Sequence, residues 1–155
     1  MPARPQIAQT PIVLYHASLE RIDHARLAVA ERRWVIGIYL CGLGVECILQ
    51  AIALRLDPTH DARHDLNKWL SRCPASLRAS LRTNPLRTDW SLLADTWYNG
   101  MRYLSDAGLL GYLRRGGLAD RIRGGREAIL KVYAQSLLAA AERVHRTSVT
   151  AWHHS

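Results

Sequence analysis

Hydrophobic residues are densest between Trp34 and Leu56, and up to Leu54 the only charged side chain among them is Glu46. Apolar residues recur there at helical intervals and also occupy the remaining faces, a pattern typical of a helix with packing partners on all sides. We therefore predict a buried helix over residues 34–56 at the centre of a bundle. Its glycines predict close approach of a neighbouring backbone, because each weakens an isolated helix by up to about 1 kcal/mol relative to alanine. They are Gly37, Gly42 and Gly44, and we expect Gly37 or Gly44 near the closest contact of a dimer.

Glu46 is the polar anomaly of this helix. A carboxylate removed from water needs a cationic or hydrogen-bonding partner, or it takes up a proton. On a helix it shares one face with Tyr39, Gly42 and Gln50. Two interpretations stay open, a satisfied structural carboxylate and a functional polar site, because buried ionisable groups are enriched at such sites without being confined to them.

The same helix has about the length that a bilayer requires, so it has to be weighed as a membrane span. Glu46 near its middle costs about 3 kcal/mol on an insertion scale, and Gln50 and the glycines weaken the case further. The other segments are amphipathic in the manner of soluble helices. We therefore predict a core helix and no membrane partner.

Shorter helical patterns surround the central one, and strand patterns are missing, so we predict an all-α fold. The expected architecture is an up-and-down bundle of four to five main helices with short extra helices, over residues 15–147. An extended arm, residues 1–14, precedes it, and a frayed tail, residues 148–155, follows it. The predicted outer elements are a helix from Tyr15 to Ala30, short helices around Leu66–Leu70, Leu77–Leu81 and Trp90–Trp97, a glycine-bearing loop from Gly108 to Gly117, and a long helix from Leu118 to about Val144.

The charge balance points to an anionic partner. The 155 residues carry a net charge of +8, and 48% of them are hydrophobic, which fits one globular domain with a core. The strongest basic cluster contains a single acid, Asp120, and lies in a glycine-bearing segment suited to phosphate binding. A solvated basic face is the alternative. The cluster consists of Arg114, Arg115, Arg121, Arg123 and Arg126.

Cysteine and histidine spacing gives no cofactor or metal site. The three cysteines are odd in number and form no CxxC pair, and the N-terminus has no apolar signal region, so we expect a cytoplasmic protein. His60 and His64 are four residues apart and could share a metal if a helix began early enough. Nothing else completes that ligand set, so we predict neither metal nor cofactor.

An aromatic segment runs from Trp97 to Tyr103 around Gly100. It predicts a turn that places Arg102 against aromatic faces, with Trp97 and Tyr103 available for stacking. Ordinary core packing of Trp97 beside a solvated arginine is the alternative.

These motifs in combination resemble the HEPN family. The matching pieces are GLGVECILQAIALRL in the central helix, HDLNKWL after a short loop, and Trp97 followed by the pair Arg102–Tyr103. HEPN proteins carry a helix like AVECxLKAL followed by HDL and, in many small prokaryotic members, by a Trp and an Arg-Tyr pair. The resemblance covers about Tyr15 to Tyr103.

The resemblance implies a cytosolic bundle, commonly a homodimer, of prokaryotic toxin–antitoxin, defence or CRISPR-associated systems. Many family members are metal-independent endoribonucleases that use an Arg and a His four to six residues apart. In such chemistry the His relays the 2′-hydroxyl proton, and the Arg stabilises the phosphorane-like charge. The family is often paired with a nucleotidyltransferase antitoxin, and some members belong to larger defence complexes.

The resemblance and the spacing together nominate five catalytic candidates. Arg102, His64 and Glu46 lie in the family's motifs, and we expect Glu46 to pair with Arg102. Arg55 and His60 match the Arg–His spacing, but they precede the HDL motif rather than lying on the late helix where the family's pair usually sits. The leading hypothesis is therefore a HEPN-like protein that binds or cleaves RNA. The alternative is a non-catalytic helical subunit of a larger assembly.

Overall fold

The computed structural model describes residues 9–155, and all regular secondary structure in that range is helical, which confirms the all-α prediction. Of the predicted arm, residues 1–8 lie outside the described residues, and Pro11–Leu14 already belongs to the first helix. The helices in order are α1 (Pro11–Ala30), α2 (Trp34–Leu56), α3 (Leu66–Ser71), α4 (Ala75–Leu81), α5 (Leu86–Thr96), a 3-10 segment (Asn99–Tyr103), α6 (Asp106–Arg115) and α7 (Arg126–His154).

Helix α2 is the centre of the bundle, as its apolar pattern predicts. Side chains along its length, such as Ile38, Val45 and Ile52, are completely buried. Helices α1 and α7 supply most of its packing, while α3 and the 3-10 segment close the remaining side. Helix α2 is also the one described helix long and apolar enough to cross a membrane, and 67% of its most apolar window is buried inside the bundle.

The glycines of α2 serve packing within the chain. A Cβ at Gly37 would lie 2.6 Å from the Val29 side chain, and one at Gly44 would lie 2.8 Å from that of Ile22. Both contacts are with α1, so these glycines let the first two helices approach closely. The expectation that Gly37 or Gly44 lies at a dimer contact is therefore wrong, since both are buried against α1.

The Trp97 side chain occupies the space above Gly42, the remaining glycine of α2. A Cβ at Gly42 would lie 2.2 Å from the Trp97 ring, and the indole Nε1 donates to the Tyr39 carbonyl at 3.0 Å. Trp97 is 5% exposed. It anchors the 3-10 segment on α2 and is not available for stacking with a ligand, contrary to one of the two interpretations of this segment.

The C-terminal third differs from the predicted elements. The stretch expected to be a glycine-bearing loop contains α6, which Ser105 caps by accepting from the Gly108 amide at 3.1 Å. The last helix begins at Arg126 rather than at Leu118. It then continues to His154, with Ser148 and Trp152 buried, so the predicted fraying of residues 148–155 is wrong.

Candidate functional site

The buried carboxylate of α2 makes its contact with a histidine. Glu46 is 3% exposed, and its two carboxylate oxygens lie 3.0 and 3.2 Å from His64 Nδ1. While Glu46 is ionised it can only accept, so Nδ1 carries the proton and Nε2 keeps a free lone pair. The His64 side chain is 52% exposed. The arrangement leaves an oriented, half-exposed imidazole whose Nε2 makes no hydrogen bond with any residue from 9 to 155.

The loop before α3 holds His64 in place. Asp61 Oδ1 accepts from the Arg63 backbone N–H at 2.8 Å, and the buried indole of Trp69 donates to the Arg63 carbonyl at 2.7 Å. Between these bonds Arg63 adopts a left-handed conformation with φ of 50°, which is uncommon for a residue with a side chain. Asp65 then caps α3 by accepting from the Lys68 amide at 3.0 Å. Bonds on both sides of His64 thus fix its approach to α2.

Burial and the histidine act on Glu46 in opposite directions. Removal from water raises the pKa of the Glu46 carboxyl group, while hydrogen bonding and charge from His64 lower it. The burial effect is the larger. A carboxylate held this way stabilises a neighbouring imidazolium, as in catalytic dyads where a carboxylate orients a histidine base.

A cavity of about 310 Å³ opens beside this pair. Its polar lining includes Gln50, which follows Glu46 by one helical turn, and Arg63, whose side chain is exposed. The Gln50 amide makes no hydrogen bond to any described residue. The remaining lining residues are Gln9, Leu14, Leu43, Glu46, Cys47, Asp61, His64 and Trp69. We call this space the His64 cavity.

Arg102 lies elsewhere on the same side of α2. Its guanidinium is 4.7 Å from the Tyr103 ring centroid and 3.4 Å from Asn99 Oδ1, which also accepts from Tyr39. The neighbouring hydroxyl groups of Tyr103 and Tyr39 raise the pKa of Arg102. Tyr39 precedes Glu46 by seven residues, or about 10 Å along α2, so Arg102 beside Tyr39 lies about one such distance from the Glu46 carboxylate. The expected pairing of Glu46 with Arg102 is wrong, because His64 occupies that carboxylate.

The spacing pair Arg55 and His60 does not assemble into this site. The Arg55 guanidinium lies 3.3 Å from the Trp152 ring centroid and donates to the carbonyls of Trp152 and Ser155 at 2.8 and 3.1 Å. The His60 ring packs edge-on against Trp69, and its buried Nε2 has no partner among residues 9–155. Arg55 therefore fastens the end of α7 to the end of α2. In residues 9–155, no three His, Cys, Asp or Glu side chains are grouped closely enough to share a metal ion.

The predicted basic cluster spans the end of α6 and the start of α7. We call residues 114–126 the arginine loop. All five of its arginines are exposed, and none of their guanidinium groups forms an ion pair or a hydrogen bond with any residue from 9 to 155. Gly117 and Gly124 turn the chain with φ of 68° and 119°. At the adjoining start of α7, the Glu127 carboxylate accepts hydrogen bonds from the Arg32 guanidinium and the Trp34 indole, at 2.9 and 3.1 Å.

Exposed aromatic rings lie between the arginine loop and α2. Tyr103 is 77% exposed beneath the Arg102 guanidinium, and Tyr98 is 41% exposed. The Tyr98 ring packs at 5.4 Å against Tyr112 of α6, whose hydroxyl donates to the Thr96 carbonyl. Helix α6 starts three residues after Tyr103 and ends in Arg114 and Arg115. Tyr98 therefore packs two residues before the first arginine of the arginine loop, whereas Tyr103 lies near the opposite end of α6.

Sequence reasoning missed Arg63 and singled out Glu46 and His64. The signal for Arg63 was its position directly before His64, together with Asp61 two residues earlier, a spacing at which an aspartate side chain bonds the backbone. No protein-family model matches the chain, and neither a curated protein nor a solved structure matches it. The resemblance to HEPN proteins therefore stays a prediction from the motifs.

Proposed function

We propose that this protein binds single-stranded RNA and cleaves it without a metal, as a HEPN-like member of a prokaryotic toxin–antitoxin or defence system. The observation that carries the binding is the arginine loop, whose five exposed guanidinium groups have no acidic partner within the described residues. Unpaired arginines bind phosphate through their planar forks. The exposed Tyr98 and Tyr103 suit single strands, whose unstacked bases pack on aromatic rings.

The proposed cleavage uses the Glu46–His64 pair. His64 Nε2 removes the proton from a ribose 2′-hydroxyl, and that oxygen attacks the adjacent phosphorus. The bond to the 5′-oxygen of the next nucleotide breaks, and this leaving oxygen takes a proton from solvent water, which gives a 2′,3′-cyclic phosphate. His64 then returns its own proton to solvent. Glu46 stabilises the imidazolium that forms, and the neighbouring Arg63 stabilises the charge on the phosphate oxygens.

Salt-dependent binding tests the role of the arginine loop. We expect the wild-type affinity for a single-stranded RNA to fall steeply with salt, because phosphate binding releases counterions. Changing Arg114, Arg115 and Arg121 together to Gln should weaken binding and reduce the log–log salt slope by about 2, at roughly 0.7 per phosphate contact.

The matched control removes three exposed arginines elsewhere, Arg72, Arg82 and Arg87, which also lack partners within the described residues. It lowers the net charge equally and should leave the slope nearly unchanged. Equal losses in the two triple variants would mean that overall charge, and not the arginine loop, attracts RNA.

A second candidate function is a non-catalytic subunit that assembles through its apolar surface. Leu27 of α1 and Ile36 of α2 are 60% and 42% exposed on either side of a groove that also contains half-buried Leu40. The groove carries both an acid, Glu31, and a base, Arg33. A two-fold contact between copies pairs a patch with itself, so it favours a surface that contains both charges. We propose a second copy of this chain as the occupant.

Sedimentation tests this assembly. The wild-type protein should be dimeric at micromolar concentration, and Ile36→Asp should be a folded monomer. Val132→Asp, at a residue of α7 that is 43% exposed, is the control and should remain dimeric. A monomeric wild-type protein would overturn the dimer. A nucleotidyltransferase antitoxin or a larger defence complex would then remain the proposed partner.

A further inference from the structure

The His64 cavity contains a polar group that the proposed cleavage does not use. Gln50 is half-buried, lies one turn beyond Glu46 on α2, and lines the cavity with an amide that has no partner among the described residues. The carboxylate beside it is already engaged by His64 at 3.0 Å. An amide offers one donor side and one acceptor side in a single plane. Gln50 is therefore a free recognition group of the cavity, and it is less exposed than Gln9, the other amide of the lining.

The volume and lining of the cavity suit a flat ring with a polar edge. Its volume of about 310 Å³ is at the lower end of small-molecule sites, which run from about 300 to 1,000 Å³. Leu14 and Leu43 supply apolar walls, and the exposed side chain of Arg63 also lines the cavity. Single-stranded RNA presents such rings when a base leaves the stack, and arginine planes pack against them.

We propose that the His64 cavity holds one unstacked base of the RNA and that Gln50 selects adenine over guanine there. Adenine presents a donor and an acceptor, N6–H and N7, which match the carbonyl and the NH₂ group of the amide. Guanine presents two acceptors on the corresponding edge, O6 and N7, and one of them faces the Gln50 carbonyl. The base belongs to the nucleotide whose 2′-hydroxyl faces His64, so selection acts at the nucleotide on the 5′ side of the cleaved bond. This inference rests on the proposed RNA binding.

The test compares the affinities of the full chain for two uridine-rich oligonucleotides of equal length that differ only in carrying isolated adenines or isolated guanines, so that guanine quadruplexes do not form. Wild type should prefer adenine at least tenfold, because one good bidentate contact is worth about 1–3 kcal/mol of discrimination. Gln50→Glu replaces the donor side of the amide with a second acceptor and should remove the preference. Gln135→Glu makes the same chemical change at an exposed amide of α7 outside the cavity and should keep the preference.

Each outcome separates this inference from the function on which it rests. RNA binding without adenine preference, or a preference that survives Gln50→Glu, overturns base selection by Gln50 and leaves RNA binding intact. Absence of binding to every RNA overturns both. Gln50→Leu, which replaces the amide with an apolar side chain of similar size, should also lose the preference. A folded Gln50→Leu variant that retains the preference contradicts the proposal.

Discussion

Single buried residues account for much of how this chain should respond to pH. His145 of α7 is 6% exposed, and its Nε2 lies 3.0 Å from Ser18 Oγ, which itself donates to the Tyr15 carbonyl at 2.7 Å. Since that hydroxyl hydrogen is used, Nε2 must donate and Nδ1 is unprotonated. Burial, with repulsion from Arg26 as a smaller cause, lowers the pKa of His145 from 6.5 to about 4. Ser18 is completely buried, so the pair is structural.

We therefore expect acid to weaken the fold through His145. The unfolded chain binds this proton near pH 6.5 and the folded chain only near pH 4, so the stabilisation is complete above about pH 6.5 and is lost as pH falls toward 4. The difference is on the order of 3 kcal/mol. Urea unfolding across this range should show a flatter pH dependence for His145→Gln than for wild type. The exposed His24→Gln is the control, and equal slopes in all three proteins would contradict this account.

Arg55 is a catalytic candidate by its spacing from His60, but in the structure it anchors the end of α7. Its stack on Trp152 and its bonds to the last carbonyls hold the end of α7. Arg55→Ala should lower the free energy of unfolding by about 1 kcal/mol, as expected for an exposed cation–π contact. RNA affinity should be unchanged at equal fraction folded. Arg146→Ala, at an exposed arginine of α7, is the control for lost charge, and an Arg55→Ala variant with full stability and no cleavage would restore the catalytic interpretation.

At the scale of elements, the close packing of α2 predicts that substituting its glycines changes the stability of the protein. Helix propensity alone predicts that Gly42→Ala stabilises the protein by up to about 1 kcal/mol. The Trp97 ring lies 2.2 Å from the position of the new Cβ and is held by its bond to Tyr39. Overpacking of this kind costs about 1–3 kcal/mol, so we expect a net loss in thermal stability. Gly125→Ala has open space within 4 Å and should be nearly neutral. A stabilised Gly42→Ala protein would contradict the packing described.

The elements that could be predicted were those with a strong local pattern. Helix α2 followed from its continuous apolar faces, and α1 from its spacing. Helix α6 was missed because Gly108 and Gly111 lower local helix propensity, while burial of Leu109 and Leu113 against distant elements stabilises the helix. A glycine also explains why the predicted start of α7 at Leu118 was wrong. Gly124 has φ of 119°, so the chain there cannot continue a helix from Leu118.

The candidate site was predictable in its members but not in its pairings. Glu46 stood out as a carboxylate in an apolar helix, and His64 as part of the HDL motif. Their contact spans eighteen residues and depends on the left-handed conformation of Arg63, which no local pattern specifies. Arg102 was placed beside Tyr103 as expected, but its distance from Glu46 is set by how the 3-10 segment docks on α2.

For the whole molecule, three features are spaced along the length of α2. The arginine loop joins α7 near Trp34 through Glu127, Arg102 lies by Tyr39, and His64 lies by Glu46. From Trp34 to Glu46 is twelve residues of helix, about 18 Å. A strand of several nucleotides can span that length, so phosphate binding, stacking and proton transfer can act on one RNA.

Cleavage of single-stranded RNA in the presence of EDTA tests this account most directly, because proton transfer by His64 and charge stabilisation by arginine need no metal. Wild type should give products ending in a 2′,3′-cyclic phosphate. His64→Ala should reduce the rate by at least a hundredfold with RNA affinity retained, and Glu46→Gln should reduce it by a smaller factor. His24→Ala, at an exposed histidine of α1, should cleave like wild type. Cleavage that persists in His64→Ala, or RNA that is bound and never cut by wild type, would contradict the catalytic role of the Glu46–His64 pair.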